Sequence, residues 1–271
     1  MHTNASFLLI ALSTLLLTAC SSCRSHIVAS TGQETAYQKL IWSDEFNQPL
    51  LDTTKWVRIN ANQADWGRHM STADQVVGWD KGVLVLKGIN NPDTSTDKRP
   101  YLTGGIYTKD KFSWTYGRIE IRAKLEEAQG AWPAFWMLGA NTVHGSYPRN
   151  GEIDIMEHLN FEDSIYQTVH SYYTLELKEK KNPPHYGKAA IKRGEFNVFG
   201  LEWTPDYLAF RLNGKETFRY PRLKGVDASQ WPFDQPFYLL LDQQLGGSWV
   251  GKVKASDLPV HIYLDWVRIY Q

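Results

Sequence analysis

Gly151-Glu152-Ile153-Asp154-Ile155-Met156-Glu157-His158 places three carboxylates within six residues and separates them with apolar side chains. Ile153, Ile155 and Met156 suit a buried strand, and a strand sends alternate side chains to opposite faces. Glu152 and Asp154 then share one face. Unbroken alternation would put Met156 beside them and drive Glu157 into the opposite layer, where an unpaired carboxylate is costly to bury. A one-residue β-bulge at Ile155-Met156 resets the alternation and brings Glu157 round; bulges often re-aim side chains beside active sites.

Aligned in one cleft, Glu152, Asp154 and Glu157 form a pattern with a chemistry. Two glutamates about 5–5.5 Å apart are what a retaining glycosidase uses, one as nucleophile and one as acid/base. An aspartate between them can hydrogen-bond the nucleophile, and its like charge helps keep one partner protonated near neutral pH. The competing reading is a solvated acidic strand, and the apolar residues between the acids argue against it. His158, directly after Glu157, is expected to face away.

The 271 residues are 42% apolar and 13% aromatic, enough for one sizeable domain with a full core. Lysine plus arginine equal aspartate plus glutamate at 29 each, which argues against nucleic acid as the main partner, because phosphate binding needs a basic surface. Eleven tryptophans and fourteen tyrosines supply core and could also line a platform for an uncharged ligand.

Phe7 to Ala19 is apolar but too short to span a membrane as a helix, and Cys20 follows it. Leu17-Thr18-Ala19-Cys20 resembles a bacterial lipobox, with His2 as the one basic side chain before the apolar run. Residues 1–19 therefore read as a lipoprotein signal, with an ordinary secretory signal as the alternative. Cys20 is the lipidation site, and residues 20–36 form a polar tether. The expectation is an exported bacterial lipoprotein that meets a membrane through this anchor only, at the cell surface or in the periplasm. Both cysteines, Cys20 and Cys23, lie in this segment, so the domain that follows has no disulfide and no cysteine metal site.

Residues 37–271 read as one all-β domain without internal repeats. Short β runs broken by turn residues recur, and no helical period stands out. Gly82–Lys87, Tyr101–Tyr107, Gly117–Lys124, Ala134–Leu138, Ile153–Glu157 and Tyr166–Ser171 are expected strands, as are Asn197–Trp203, Tyr207–Leu212, Phe237–Asp242 and Ile262–Tyr270. Asn213-Gly214 signals a type I′ hairpin turn. Asn90–Pro100 and Lys178–Arg193 read as long polar loops. Many strands without helices imply a sandwich or jelly roll of two antiparallel sheets.

The motif order resembles family 16 glycoside hydrolases. The resemblance is carried by Asp44-Glu45-Phe46-Asn47, Trp132-Pro133-Ala134-Phe135-Trp136-Met137-Leu138-Gly139, Gly151 to Glu157, and Leu201-Glu202-Trp203-Thr204-Pro205-Asp206. Gln235-Pro236-Phe237-Tyr238 with Gly246-Gly247, and Tyr263 to Tyr270, complete it. It covers about Leu40 to Gln271. It implies a concanavalin-like β-jelly roll with an open concave cleft and endo-acting, retaining hydrolysis. Glu152 carries over as nucleophile, Asp154 as its helper and Glu157 as acid/base. No cofactor is required. The resemblance also suggests a structural calcium near Glu45 and Asp265, although no dense cluster of oxygen ligands marks it.

Further residues invite a binding role. Trp132 and Trp136 are four apart, so on a strand they face one side and can stack on sugar rings; the alternative is two core tryptophans. His170 matches a position where the family places a cleft histidine. Trp66 and Trp249 sit in loop contexts, as do Arg68 and His69, and binding residues concentrate in loops; surface packing is the alternative. The partner is a polysaccharide or glycan, and a monomer is the default. Asp65 to Ser71 and Ser171 to Thr174 depart from the β-1,3-glucanase pattern, as do Gln243-Gln244 and Ser248-Trp249. They favour an endo-β-1,4-galactosidase acting on poly-lactosamine or mucin-type O-glycans. An endo-β-1,3(4)-glucanase is the alternative. A transglycosylase and a non-catalytic carbohydrate-binding module are the other readings, the latter disfavoured by three intact carboxylates.

Overall fold

Period-two patterning becomes sixteen strands in the computed structural model, which describes residues 1–2 and 37–271. Cys20, the apolar run before it and the tether after it lie outside the described residues. In chain order the strands are β1 (Leu40–Asp44), β2 (Val57–Arg58), β3 (Val77–Asp80), β4 (Val83–Asn90), β5 (Tyr101–Thr103), β6 (Gly105–Tyr107), β7 (Gly117–Leu125) and β8 (Ala131–Gly139). They continue as β9 (Glu152–His158), β10 (Ser164–His170), β11 (Tyr186–Ala190), β12 (Asn197–Trp203), β13 (Tyr207–Leu212), β14 (Lys215–Pro221), β15 (Phe237–Leu245) and β16 (Val260–Tyr270).

Two antiparallel sheets result. One runs β14-β13-β12-β7-β16-β4-β3, with β1 added on β16 and β5 on β4; the other runs β11-β10-β9-β8-β15-β6-β2. The chain is a β-jelly roll. β7 shows why the first sheet has a wet face: Ile119, Ile121, Ala123 and Leu125 are buried while Arg118, Glu120, Arg122 and Lys124 alternate outward. The core lies between the layers, where Phe135, Met137, Ile153, Leu239 and Leu241 of the second sheet meet Ile121, Phe199, Leu201 and Leu264 of the first.

Three expectations need correction. Tyr101–Tyr107 is two strands, because Gly104 passes the chain from one sheet to the other. Its amide donates to Lys87 O at 2.8 Å, and its carbonyl accepts from the Gln243 amide at 3.0 Å. The span Lys178–Arg193 contains an edge strand, β11, whose Gly187 lies under the Phe218 ring. Tyr172–Leu175 forms a helical turn, α1, closed by the Thr174 hydroxyl accepting from the Ser171 amide at 2.9 Å; one turn is too short to leave a period in the sequence. The Asn213-Gly214 turn is as expected, with φ of 51° and 81° joining β13 to β14.

Gly104 tolerates no side chain, since a Cβ there would meet the Val76 carbonyl oxygen at 2.1 Å. Gly104→Ala should cost about 2 kcal/mol and lower Tm by roughly 5 °C, checked by calorimetry. An unchanged Tm would mean the crossing is not tightly packed.

Candidate active site

The bulge is in β9. Asp154 pairs with Trp136 of β8 and Thr168 of β10, and Glu157 pairs with Ala134 and Tyr166, so two β9 residues, Ile155 and Met156, are set against the one step between these pairs. Both go into the core with Ile153. Glu152, Asp154 and Glu157 are thereby left on the other face, lining a cleft of about 550 Å³. Gly151 permits the turn into β9 with φ of 76°, against Pro232 and Phe233 where a Cβ would not fit.

Burial dominates the electrostatics. The Asp154 side chain is 3% exposed and that of Glu152 is 16%. Glu152 is pushed up to about 7 by loss of water, opposed by hydrogen bonds from Tyr147 and Asp154. Glu157 is pushed up to about 8 by burial and then by the Glu152 charge, opposed by the Trp132 indole, which donates to Glu157 Oε1 at 3.0 Å. Asp154 is raised by burial and by both glutamates. Its Oδ2 accepts no hydrogen bond from a donor side chain, so a proton on Asp154 shared with Glu152 satisfies both groups. His170 stands beside them, with Nε2 3.5 Å from Asp154 Oδ2 and 4.0 Å from Glu152 Oε1. Burial pushes its imidazole down to about 4, which keeps it neutral near pH 7.

Aromatic rings flank the acids. Trp132 meets Trp249 edge-on at 5.5 Å, and Trp249 meets Tyr166 at 4.9 Å. Trp249 is 44% exposed and offers a free face. Trp66 sits edge-on to Trp136 at 4.9 Å. Trp136 is 5% exposed, and its indole donates to Asp242 Oδ2 at 2.8 Å, leaving little ring surface on which a sugar could stack. Trp66, Trp132, Trp136, Glu152, Asp154, Glu157, His170 and Trp249 line this one cleft, whereas Arg68 and His69 line a separate depression with Gly246, Gly247 and Ser248. His158 faces away, its Nε2 2.6 Å from the Glu162 carbonyl.

Several contributors escaped the sequence reading. Tyr166 and Thr168 follow from His170 by the period-two rule on β10. Lys180, His185 and Tyr186 come from a segment without patterning. Asp242, fully buried, accepts from Trp136 and, at 2.8 Å, from the Gln244 amide; burial pushes it up to about 7. The two carboxylates considered for calcium are each engaged by an arginine, Glu45 by Arg268 at 2.8 and 2.9 Å and Asp265 by Arg122. Among the described residues, the one group of three carboxylate or histidine ligand atoms within 4.8 Å of one another is Glu152, Asp154 and His170, the site itself.

Known proteins place this geometry. A family model described as Beta-porphyranase A-D, GH16 domain, matches residues 39–271. A keratan-sulfate endo-1,4-beta-galactosidase of Sphingobacterium multivorum is 36% identical over 90% of this chain, which spans 57% of that protein's length. A beta-glucanase of Rhodothermus marinus is 34% identical over 91% of this chain and 90% of its own. The laminarinase structure from Rhodothermus marinus superposes with a TM-score of 0.79 at 32% identity, covering 88% of this chain and 99% of that one. With the cleft, the bulged strand and these relatives together, the chain belongs to glycoside hydrolase family 16 and is an endo-acting glycosidase.

Proposed function

We propose that the protein is a retaining endo-β-1,4-galactosidase acting on poly-lactosamine or mucin-type O-glycans. The observation that carries the chemistry is the pair of buried glutamates on one face of β9, both raised above the ordinary carboxylate range by burial, with the Glu152 charge adding to the rise at Glu157. Glu157 protonates the glycosidic oxygen while Glu152 attacks the anomeric carbon. The bond to the leaving sugar breaks and a glycosyl-enzyme ester forms. Glu157, now a carboxylate, takes a proton from water as that water attacks the anomeric carbon and frees Glu152. Asp154 hydrogen-bonds Glu152 and, with a proton of its own, adjusts the charge beside the nucleophile.

Galactose over glucose is supported by the relative named as a keratan-sulfate endo-1,4-beta-galactosidase. The laminarinase structures support a β-1,3(4)-glucanase as the second reading.

Glu157→Gln should lower kcat by about 100- to 10,000-fold, and Glu152→Gln at least as much. NMR of wild-type products should show the β-anomer released first. Activity within tenfold of wild type in either variant, or an α-anomer first, removes the assignment.

Turnover needs Glu152 ionised and Glu157 protonated, so kcat/KM should rise with pH through about 7 and fall above about 8. Asp242, fully buried on β15 opposite Ala134 of β8, raises Glu157 by its charge. Asp242→Asn can keep both hydrogen bonds if the Gln244 amide turns over, because Gln244 Oε1 is unpartnered. With the charge gone, Glu157 loses its proton more easily, and the alkaline limb of the profile should move to lower pH. A limb that stays in place would remove Asp242 from the electrostatics.

Poly-lactosamine, mucin O-glycans, laminarin and mixed-linkage glucan compared side by side decide the substrate. Oligosaccharides from the first two alone fit the proposal, whereas release from laminarin alone overturns it.

A further inference from the structure

Two stretches that depart from the β-1,3-glucanase pattern, Asp65 to Ser71 and Ser248-Trp249, meet in the fold although their partners lie 183 positions apart. The Asp65 Oδ2 atom accepts from the Ser248 amide at 2.6 Å and from the Ser248 hydroxyl at 2.9 Å. Arg68 pairs with the other carboxylate oxygen. Gly247 lets the second loop come this close: its φ is 150°, and a Cβ there would meet Asp65 Oδ2 at 2.8 Å. The residue after each partner is a cleft tryptophan. Trp66 and Trp249 line the cleft, while Asp65 and Ser248 line the depression beside it, so the link lies behind the two rings and outside the cleft lining.

The rings need such a link. Trp132 and Trp136 stand on a strand, and their indoles donate to Glu157 and Asp242. Trp66 and Trp249 stand on loops, and neither indole has a hydrogen-bond acceptor among the described residues. Trp66 meets Trp136 edge-on at 4.9 Å, and Trp249 meets Trp132 edge-on at 5.5 Å. Such contacts are weak next to the cost of ordering a loop. The Trp249 loop has other fastenings: the Gly246 amide donates to Gly130 O at 2.8 Å, and the Asn160 side-chain amide to Val250 O at 3.2 Å. The Trp66 loop does not. Its backbone bonds are local, with the Asn62 amide on Gly67 O at 3.2 Å and the Gly67 amide on Ala64 O at 3.1 Å. Among the described residues, the Asp65 carboxylate is the one hydrogen-bonded link from residues 62–68 to a distant part of the chain. A carboxylate that takes an amide and a hydroxyl on one oxygen makes charge-assisted bonds, and these extend the firmness of the Trp249 loop to Trp66.

We propose that Asp65 is a positioning residue for substrate. By holding Ser248 it fixes the Trp66 and Trp249 rings relative to each other, as one aromatic wall that holds a sugar while the acids act. The role is independent of the galactoside reading, since the wall serves whichever glycan is cleaved.

The test measures kcat and KM on whichever of the four glycans named above is cleaved fastest. Asp65→Ala should raise KM about threefold to tenfold and leave kcat within about twofold. Asp65→Asn still offers an oxygen to both Ser248 donors and should keep KM within about twofold of wild type. Ser248→Ala removes the hydroxyl alone and should raise KM by a smaller factor than Asp65→Ala; it decides the question if Asp65→Ala does not fold. In a chain carrying Trp66→Ala and Trp249→Ala, Asp65→Ala should change kcat/KM by less than about twofold, because the rings through which it acts are gone. Four results overturn the role: an unchanged KM in Asp65→Ala, a kcat that falls as far as KM rises, an Asn variant as impaired as the Ala one, or the same loss with and without the two rings. Failure of the galactoside reading shows instead as cleavage of laminarin alone, and leaves these ratios intact.

Discussion

Everything in the cleft depends on one extra residue in β9. A strand that must bury three apolar side chains on one face and three carboxylates on the other cannot do so by strict alternation over Glu152 to Glu157. Without the bulge, one of two costs follows: a carboxylate enters a core made of Phe135, Met137 and Leu241, or Met156 takes its place among the acids. The partners of β9 keep regular alternation, so the adjustment is confined to Ile155-Met156. That confinement lets Trp132 and Trp136 on β8, and Tyr166, Thr168 and His170 on β10, keep facing the same cleft.

The acids of the two sheets show how surroundings set the behaviour of one functional group. Outside the cleft, Glu45 is lowered from its ordinary value by hydrogen bonds from the Arg268 guanidinium. In the cleft, no guanidinium among the described residues pairs with the catalytic acids. Their donors are an indole, a phenol and another carboxyl group, which bond without supplying positive charge. Burial in a dry site raises proton affinity, the neutral donors offset only part of that rise while fixing position, and hydrolysis through a proton-donating glutamate requires both.

Legibility in the sequence followed periodicity. Ile153, Ile155 and Met156 between three acids were enough to infer the bulge, and Asn213-Gly214 was enough for its hairpin. His170 implied Tyr166 and Thr168, had the period been followed outward. Gly104 looked like any residue in a β run, because its role comes from hydrogen bonds to Lys87 and Gln243, which are distant in sequence. Lys180 and His185 lie in a polar stretch whose form is set by side-chain contacts to its own carbonyls, and such contacts leave no pattern. Trp136 showed the limit of facing arguments: it points to the cleft side, yet Trp66 and Asp242 cover it.

The Trp132 contact decides more than where Glu157 sits. An indole N–H donates and cannot accept, and it does not titrate in the range where the enzyme works. It therefore stays on Oε1 whether Glu157 is acid or base, and holds the carboxylate the more strongly of the two. The proton delivered to the departing sugar, and the one later withdrawn from water, must both travel through the other oxygen. Trp132 thus makes the two halves of the reaction share a single proton path, with a fixed direction of approach to the anomeric centre.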